Sequence, residues 1–487
     1  MTSLPSRFGT GDLGPEAANF VTALGEAGQV FWQVLPLHPT HGSHHHSPYH
    51  ATSLFAFNPL LISPEVMVQD GIIDHHQLAF LHEPERPGAG FLHESLLKVE
   101  FLRDAARQNH CGQDDPGFER FRSENQSWLG DYALFSAIAR TRGTDWSAWP
   151  EGIRDREPAV LETQRQKLAR ALDEEQYIQY LAFSQWGTLH GLAREQGIRI
   201  IGDLPFYPAY ESADVWSHRD LFRLDGNGRP CAVAGVPPDY FSRTGQWWGN
   251  PVYRWEEIER QDFSWWVERV EHLLGICDCL RVDHFRGLQA CWEIPAGAAT
   301  AQEGSWVRGP GPALLSPLAA RFPSLPLIAE DLGTITPDVR DLMAMFSIPG
   351  MRVLQFGFDG DPKNPHAPAA ISEDVVLYTG THDNNTVRGW FENEASREDK
   401  RRLSQYLGRE VPAANVHLEV IRLAMMSVAN TAIIPMQDIL GLGGEARMNK
   451  PAKKPGNWRW RLKQDQLTDS IKMQLREMTE IYGRAIE

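Results

Sequence analysis

Residues 276–285 read ICDCLRVDHF, a short run in which polar and apolar side chains alternate. Successive side chains of an extended strand point to opposite faces, so Cys277, Cys279, Arg281 and Asp283 are expected to share one face. Six further runs of similar length and apolar character occur along the chain. They are residues 30–37 (VFWQVLPL), 198–207 (IRIIGDLPFY), 325–333 (LPLIAEDLG), 351–358 (MRVLQFGF), 375–383 (VVLYTGTHD) and 431–440 (TAIIPMQDIL).

Helical stretches fall between or beside these runs. They are residues 15–27, 175–196, 263–274, 312–321, 337–346, 417–429 and 468–486. Near-continuous apolar strands separated by helices are typical of a parallel sheet that helices cover on its outer side. Seven such strands predict an eight-stranded βα barrel of the TIM type, in which the first strand is not visible. A doubly wound open sheet is the alternative, although no glycine-rich phosphate loop follows any run.

Composition restricts the class of protein. The formal net charge of −16 disfavours non-specific binding to nucleic acid or to an anionic membrane. The five cysteines follow no zinc-binding spacing, which predicts reduced thiols and no metal site. The chain opens without a signal-peptide pattern, and no apolar run is long enough to cross a bilayer. We therefore expect a cytoplasmic protein with neither nucleic acid nor a membrane as partner.

Four predicted strands end in an acidic residue: Asp203, Asp283, Glu330 and Asp383. The carboxyl ends of barrel strands meet at one rim, where the catalytic groups of such barrels collect. Arg281 lies two residues before Asp283 on the same face and would hold this carboxylate ionised, as a nucleophile requires. Glu330 directly follows an apolar run, where burial would raise its pKa and suit it to donate a proton.

Simpler interpretations stay open for each of these groups, namely a structural Arg–Asp pair and a helix N-cap. On neighbouring strands, about 4.8 Å apart, Asp283 and Glu330 would meet the ~5–5.5 Å separation of a retaining glycosidase pair. An inverting pair needs a wider gap. The positions therefore favour a retaining, two-carboxylate enzyme.

Residues 235–253 (GVPPDYFSRTGQWWGNPVY) are rich in glycine, proline and aromatic side chains, which predicts an ordered loop. Aromatic faces pack against the C–H faces of sugars, and Asp239 and Gln246 offer hydrogen bonds to them. A packed connection between helices, which Trp247 and Trp248 would favour, is the alternative. We expect one catalytic barrel over residues 1–487 with inserted subdomains, at residues 58–173 and at residues 207–262 with this aromatic loop.

The ordered segments of the chain resemble the amylomaltase family, the 4-α-glucanotransferases also called disproportionating enzymes. The resemblance is carried by SLPSRFGTGDLG, WQVLPL, SPYHATSLFAFNPLL, IGDLPFY, GVPPDYFSRTGQWWGNPVY, LRVDHFRG, AEDLG, PGMRVLQF, GTHDNNT and PMQDILGLGGEARMN. It covers almost the whole chain. It implies a barrel with inserted subdomains whose first strand, before the SLP segment, is truncated at the N-terminus.

The resemblance also implies roles for single residues. The family's nucleophile falls on Asp283, its acid/base on Glu330 and its third catalytic carboxylate on Asp383. Sugar-binding positions, or companions of the three acids, fall on a further set: Ser47, Tyr49, Asp203, Asp239, Gln246, Trp248, Arg281 and His382.

The implied reaction is transfer of α-1,4-glucan segments, without a cofactor, from a donor glucan to glucose or a maltooligosaccharide. An α-amylase-like retaining hydrolase uses the same acids and is the alternative, because residue types alone do not separate transfer from hydrolysis. A non-catalytic glucan-binding protein is a third possibility, against which the presence of all three carboxylates argues.

Overall fold

The computed structural model describes residues 1–42, 45–82, 91–109, 114–238, 243–451, 453 and 456–485, without the side chains of residues 80, 82 and 91–94. Its strands are β1 (Phe31–Gln33), β2 (Arg199–Leu204), β3 (Ala232–Val236), β4 (Gln246–Pro251), β5 (Cys279–Val282), β6 (Ala290–Pro295), β7 (Ser305–Arg308), β8 (Leu327–Ala329), β9 (Gly350–Val353), β10 (Val375–Tyr378) and β11 (Thr431–Ile433).

The α-helices divide into two groups by position. Those that precede β2 are α1 (Pro15–Glu26), α2 (Pro64–Gln69), α3 (Phe91–Gln108), α4 (Pro116–Glu124), α5 (Leu129–Arg142), α6 (Glu151–Arg154) and α7 (Pro158–Glu195). Those that follow it are α8 (Ala213–Ser217), α9 (Trp255–Arg260), α10 (Ser264–Ile276), α11 (Pro312–Arg321), α12 (Pro337–Met345), α13 (Val387–Asn393), α14 (Arg397–Leu407), α15 (Val416–Met425), α16 (Met436–Ile439) and α17 (Asp469–Ile481).

The main sheet has seven parallel strands in the order β1-β2-β5-β8-β9-β10-β11. Each of the seven predicted runs supplies one strand, so this prediction is confirmed. All seven contribute side chains to one interior cluster: Ile201, Ile328, Met351, Val353, Val376 and Tyr378, with Phe31, Cys279 and Ile433 against them. The Tyr378 hydroxyl, on β10, donates to Gln33 Oε1 on β1 at 2.9 Å.

A shared interior means that the sheet curls into a βα barrel, and the doubly wound alternative is wrong. Within the described ranges, no strand pairs with the outer edge of β1 or of β11. The barrel thus has seven strands there, and a gap separates β1 from β11.

The faces of β5 follow the predicted alternation only in part. Cys279 packs in the barrel interior, whereas Leu280 and Val282 point outward into the large core between sheet and helices. Cys277 lies in that outer core, so the expectation that it shares a face with Cys279 is wrong. The reason is that β5 begins at Cys279, and Cys277 packs against Gly202, where an added Cβ would lie 2.6 Å from the sulfur.

A second sheet is antiparallel, with the order β4-β3-β6-β7. The predicted loop over residues 235–253 is partly wrong, since β3 and β4 supply two of these strands. The other two, β6 and β7, come from the connection that follows β5. Two connections of the barrel therefore build one sheet together, and neither carries the regular alternation that would reveal a strand.

The described part of residues 58–173 is largely helical and packs on the barrel through α7, which is 38 residues long and begins well before the predicted residue 175. Its middle carries two buried glutamates. Glu175 accepts from Arg103 on α3 at 3.0 Å, and Glu174 accepts from Arg107 at 2.9 Å and from Arg140 on α5 at 3.1 Å. The apolar periodicity of the sequence did not reveal the first half of α7, because charge pairs between helices hold it and such pairs follow no period.

Two buried glutamines of α7 fix the segment that leads to the barrel rim. Gln179 accepts from the Phe57 N–H at 2.8 Å and donates to the Phe57 carbonyl at 3.0 Å. Gln185 does the same for Ser63, at 2.7 and 3.1 Å. Each amide satisfies one buried donor and one buried acceptor of a segment that lies outside any sheet. None of the described helices is long and apolar enough to span a membrane.

We predict that Gln179→Met lowers the free energy of unfolding by about 2–4 kcal/mol, because the N–H and carbonyl of Phe57 lose their partner while staying buried. The measurement is the urea-unfolding midpoint at fixed pH. Gln166→Met, at an exposed position of the same helix, is the matched control and should change little. Equal midpoints for the two variants would contradict this role of Gln179.

Candidate active site

The carboxyl ends of the parallel strands bring the predicted acids to one rim. Asp203 belongs to β2, Asp283 follows β5, and Glu330 follows β8, the neighbour of β5. The ladder continues past the strand ends, since the Asp283 N–H donates to the Leu204 carbonyl at 3.0 Å and the Glu330 N–H to the Val282 carbonyl at 3.1 Å. Asp283 and Glu330 are therefore on adjacent strands at the same level.

Arg281 is the centre of the charge arrangement. Its guanidinium is buried and donates from Nη1 to both oxygens of Asp203, at 2.9 and 2.7 Å. From Nη2 it donates to Asp283 Oδ1 at 3.0 Å. One buried cation thus orients two carboxylates, of which Asp203 is fully enclosed and Asp283 keeps 29% of its side chain exposed.

Glu330 is oriented by backbone N–H groups. Its Oε2 accepts from the N–H of His284 at 2.8 Å, and its Oε1 accepts from the N–H of Leu332 at 2.9 Å. His284 has a φ of 50°, in the left-handed region that is uncommon outside glycine. This turn directs the N–H that follows Asp283 towards the carboxyl of Glu330.

The acids outnumber the cation at this rim, which affects their protonation. Burial raises the pKa of Asp283, the Arg281 charge opposes this rise, and Asp203, Glu330 and Asp383 add to it. Burial also raises the pKa of Glu330, against Arg281 and the two backbone N–H donors. Because each carboxylate disfavours ionisation of the other, the pair holds one proton more readily than two separate acids would.

Tyr49 forms one wall of the rim. Its hydroxyl donates to Asp203 Oδ2 at 2.7 Å and lies 3.1 Å from His382 Nε2. The Tyr49 and His382 rings stack with centroids 5.3 Å apart, and Trp458 lies within 6.1 Å of both. Burial is the largest cause lowering the pKa of His382, which favours the neutral imidazole.

Asp383 is the most accessible of the acids, with 46% of its side chain exposed. Its Oδ1 accepts from Asn449 Nδ2 at 2.5 Å and lies 3.4 Å from His382 Nε2. Arg447 donates to the Asp383 carbonyl at 2.7 Å and to Glu394 at 2.9 Å. Residues 447–449 therefore hold the loop of Asp383 in place.

Strand β4 contributes Trp248 beside His284. Trp248 meets the edge of the His284 ring at 4.9 Å, and its Nε1 donates to Gln246 Oε1 at 3.2 Å. Burial lowers the pKa of His284 to about 3, so this ring is neutral. Ser47 lies two residues before Tyr49, in a turn where its carbonyl accepts from the His50 N–H at 3.1 Å. Asp239 lies outside the described residues.

The structure brings most of the predicted residues to this rim: Tyr49, Asp203, Gln246, Trp248, Arg281, Asp283, Glu330, His382 and Asp383. Sequence reasoning missed His284 and Asn449. His284 carries a signal, since it directly follows Asp283 at the end of a predicted strand. Asn449 carries none, because it is 66 positions from its partner Asp383. Among the described residues, no group of three or more His, Cys, Asp or Glu side chains is placed to hold a metal ion.

Known proteins are similar to this chain over nearly its whole length. A sequence profile of the 4-alpha-glucanotransferase family matches residues 1–468. The 4-alpha-glucanotransferase of Aquifex aeolicus is 46% identical over 488 residues, covering 100% of this chain and 98% of that protein. The corresponding protein of Thermus thermophilus is 44% identical, over 99% of this chain and 97% of its own length. The chloroplastic/amyloplastic protein of Solanum tuberosum is 40% identical, over 99% and 85%.

Solved structures give the same result. An amylomaltase from Streptococcus agalactiae, determined in complex with acarbose, superposes with a TM-score of 0.88 at 36% identity, over 100% of this chain and 98% of that one. The amylomaltase of Corynebacterium glutamicum, at 20% identity and a TM-score of 0.75 over 99% and 73%, shares the fold. With a matching profile, full-length relatives and a rim of acids on a βα barrel, the chain belongs to the 4-α-glucanotransferase family.

Proposed function

We propose that Asp283, Glu330 and Asp383 carry out the transfer reaction of this family on α-1,4-glucans. The donor is a maltooligosaccharide or longer glucan, and the acceptor is the 4-hydroxyl of glucose or another glucan. The observation that carries the proposal is the pair of acids at adjacent strand ends, one bound to Arg281 and the other to two backbone N–H groups. The location in the cytoplasm and the independence from cofactors stay predictions.

The proposed cycle has two displacements. Asp283 attacks the anomeric carbon while Glu330 gives its proton to the departing glycosidic oxygen, which leaves a β-linked glycosyl ester on Asp283. Glu330, now ionised, takes the proton from the 4-hydroxyl of the acceptor. That oxygen attacks the anomeric carbon, the ester bond breaks, and the α-linkage forms again. Two inversions give net retention.

The contacts of the free enzyme support this division of roles. Arg281 donates directly to Asp283 and favours its ionised form against burial and the neighbouring acids, while burial raises the pKa of Glu330. The two N–H groups on Glu330 favour its ionised form and oppose burial. A group that must release and recover a proton in each cycle benefits from such a balance.

Asp383 is proposed to bind sugar hydroxyls as positive charge develops on the ring. Its carboxylate is accessible, yet fixed by Asn449 on one side and His382 on the other. Asn449 acts as a positioning residue, because its amide contacts the carboxylate and its N–H donates to the His382 carbonyl at 3.0 Å. Tyr49 and Trp458 offer aromatic faces beside this acid.

Transfer requires that a sugar reaches the glycosyl ester more readily than water does. Trp248, against His284 next to the proposed nucleophile, supplies an aromatic face where an acceptor sugar can stack. The α-amylase-like hydrolase, which uses water at this step, is not favoured by the relatives, which are transferases by name.

Maltotriose alone, incubated with the enzyme, should give a ladder of longer maltooligosaccharides together with glucose, separated by chromatography. A ladder arises because each glycosyl ester is passed to another sugar. Products shorter than maltotriose, with no longer ones, would instead establish the hydrolase.

Asp283→Asn should lower the rate of ladder formation by at least about a thousandfold, since the ester can no longer form. The matched control is Asp338→Asn, an exposed carboxylate at the start of α12, which should keep wild-type activity. Similar rates for Asp283→Asn and Asp338→Asn would rule out the nucleophile proposed here.

Arg281→Met should move the acidic limb of the kcat/KM profile to higher pH. Arg281 stabilises the ionised form of Asp283, so its loss raises the pKa of that carboxyl and the nucleophile ionises only at higher pH. The measurement is maltotriose disproportionation across the pH range at which the variant stays folded.

Two controls separate charge from structure. Arg352→Met removes a guanidinium that pairs with Asp331 at 2.9 Å and should leave the acidic limb in place. Arg281→Met with Asp203→Asn removes the unpaired buried carboxylate and tests whether stability is recovered. An acidic limb that is the same in wild type and Arg281→Met would contradict the role of Arg281.

A further inference from the structure

Three tryptophans form one row across the small antiparallel sheet. Trp247 on β4 is paired with Gly235 on β3, Gly235 with Trp292 on β6, and Trp292 with Trp306 on β7. Directly paired residues of antiparallel strands share a face, so all three rings are on the same side. With strands about 4.8 Å apart, the row extends over about 14 Å.

This face is turned away from the proposed catalytic rim. Successive residues of β4 alternate, so Trp248 reaches His284 while Trp247 points to the other side, where 54% of it is exposed. Trp306 is 41% exposed, and Trp292 is half-buried. Two large apolar residues exposed on one short row are unusual for a surface that contacts only water.

Two rings of the row, those of Trp292 and Trp306, are held in place. The Arg286 guanidinium lies 3.8 Å from the centroid of the Trp306 ring, and this arginine is buried and donates to the Thr334 carbonyl. Trp292 Nε1 donates to the Ala301 carbonyl at 2.8 Å. The Trp292 and Trp306 rings meet edge to face at 5.2 Å. A ligand that stacks on such rings would lose little side-chain entropy on binding.

We propose that Trp247, Trp292 and Trp306 form an outer glucan-binding platform, which holds a stretch of an α-glucan chain outside the catalytic rim. The inference rests on the proposed function, since the enzyme must then meet long neutral chains whose sugar units present apolar C–H faces at regular intervals. Rings repeated across adjacent strands match such a repeating ligand. Gly235, which has no side chain, leaves a gap between the first ring and the second.

The platform is tested by binding, independently of turnover. In an Asp283→Asn background, migration through a native gel containing amylose reports affinity without product formation. Trp247→Ala with Trp306→Ala should weaken the retardation about tenfold, the effect expected from losing two stacking rings. The single variant Trp306→Phe keeps an aromatic face and should retain most of the retardation by amylose.

Kinetics distinguish this surface from the catalytic rim. In the otherwise wild-type enzyme, the double alanine variant should raise KM for long amylose, while kcat/KM for maltotriose stays within about twofold because a short donor does not reach the row. Trp248→Ala removes the neighbouring ring that faces His284 and should lower kcat/KM for both maltotriose and long amylose. Thermal unfolding of each variant checks that the sheet is intact.

Amylose retardation that is equal in the parent and the double alanine variant would overturn the platform, even if maltotriose disproportionation is normal. A change in oligomeric state on size-exclusion chromatography, without a change in amylose binding, would assign the row to a protein interface and also overturn it. Failure of the wild type to disproportionate maltotriose would refute the proposed function. Amylose binding that depends on the two tryptophans would still support the platform in that case.

Discussion

The rest of the site depends on one buried guanidinium, which has more carboxylates around it than its single charge can neutralise. Arg281 is enclosed at the barrel rim and cannot stay there without negative partners. Both carboxylate oxygens of Asp203 accept hydrogen bonds from Arg281, and the Asp203 side chain has no exposed surface. Burial raises the pKa values of Asp283 and Glu330, and the excess of negative charge around Arg281 adds to the rise. Asp203 thus serves as the structural partner of Arg281, and the proposed chemistry is left to Asp283 and Glu330.

Backbone hydrogen bonds fix the orientation of Glu330, the neighbour of Asp283. The Glu330 carboxylate accepts one hydrogen bond from the N–H of Leu332, after its own strand, and one from the N–H of His284, after the neighbouring strand. The left-handed turn at His284 makes the second bond possible, and the same residue carries the ring on which Trp248 rests. One strained residue therefore links the proposed acid/base to the aromatic side of the cleft. Such strain persists only where the surrounding contacts compensate for it.

Local patterns in the sequence predicted the barrel and the acids, because both depend on short segments. Each barrel strand lies in a largely apolar run, and each acid lies at the end of such a run or a few residues after it, so position along the chain is enough to place them. The same reasoning did not predict the small sheet. The segment that contains β3 and β4 is rich in glycine, proline and tryptophan and lacks the regular alternation that would reveal a strand. Asn449 escaped this reasoning because its contact with Asp383 joins distant loops. Long-range contacts of this kind leave no period in the sequence.

The small sheet gives the two tryptophans of β4 different neighbours, although they are adjacent in sequence. Trp248 packs towards His284 and the acids, while Trp247 belongs to the exposed row that ends at Trp306. Trp306 in turn stacks on Arg286, three residues after Asp283. The sheet is thus anchored at both of its edges to the segment that follows β5. An arrangement in which one short sheet borders the cleft and also presents aromatic rings to solvent suits a substrate that is longer than the cleft itself.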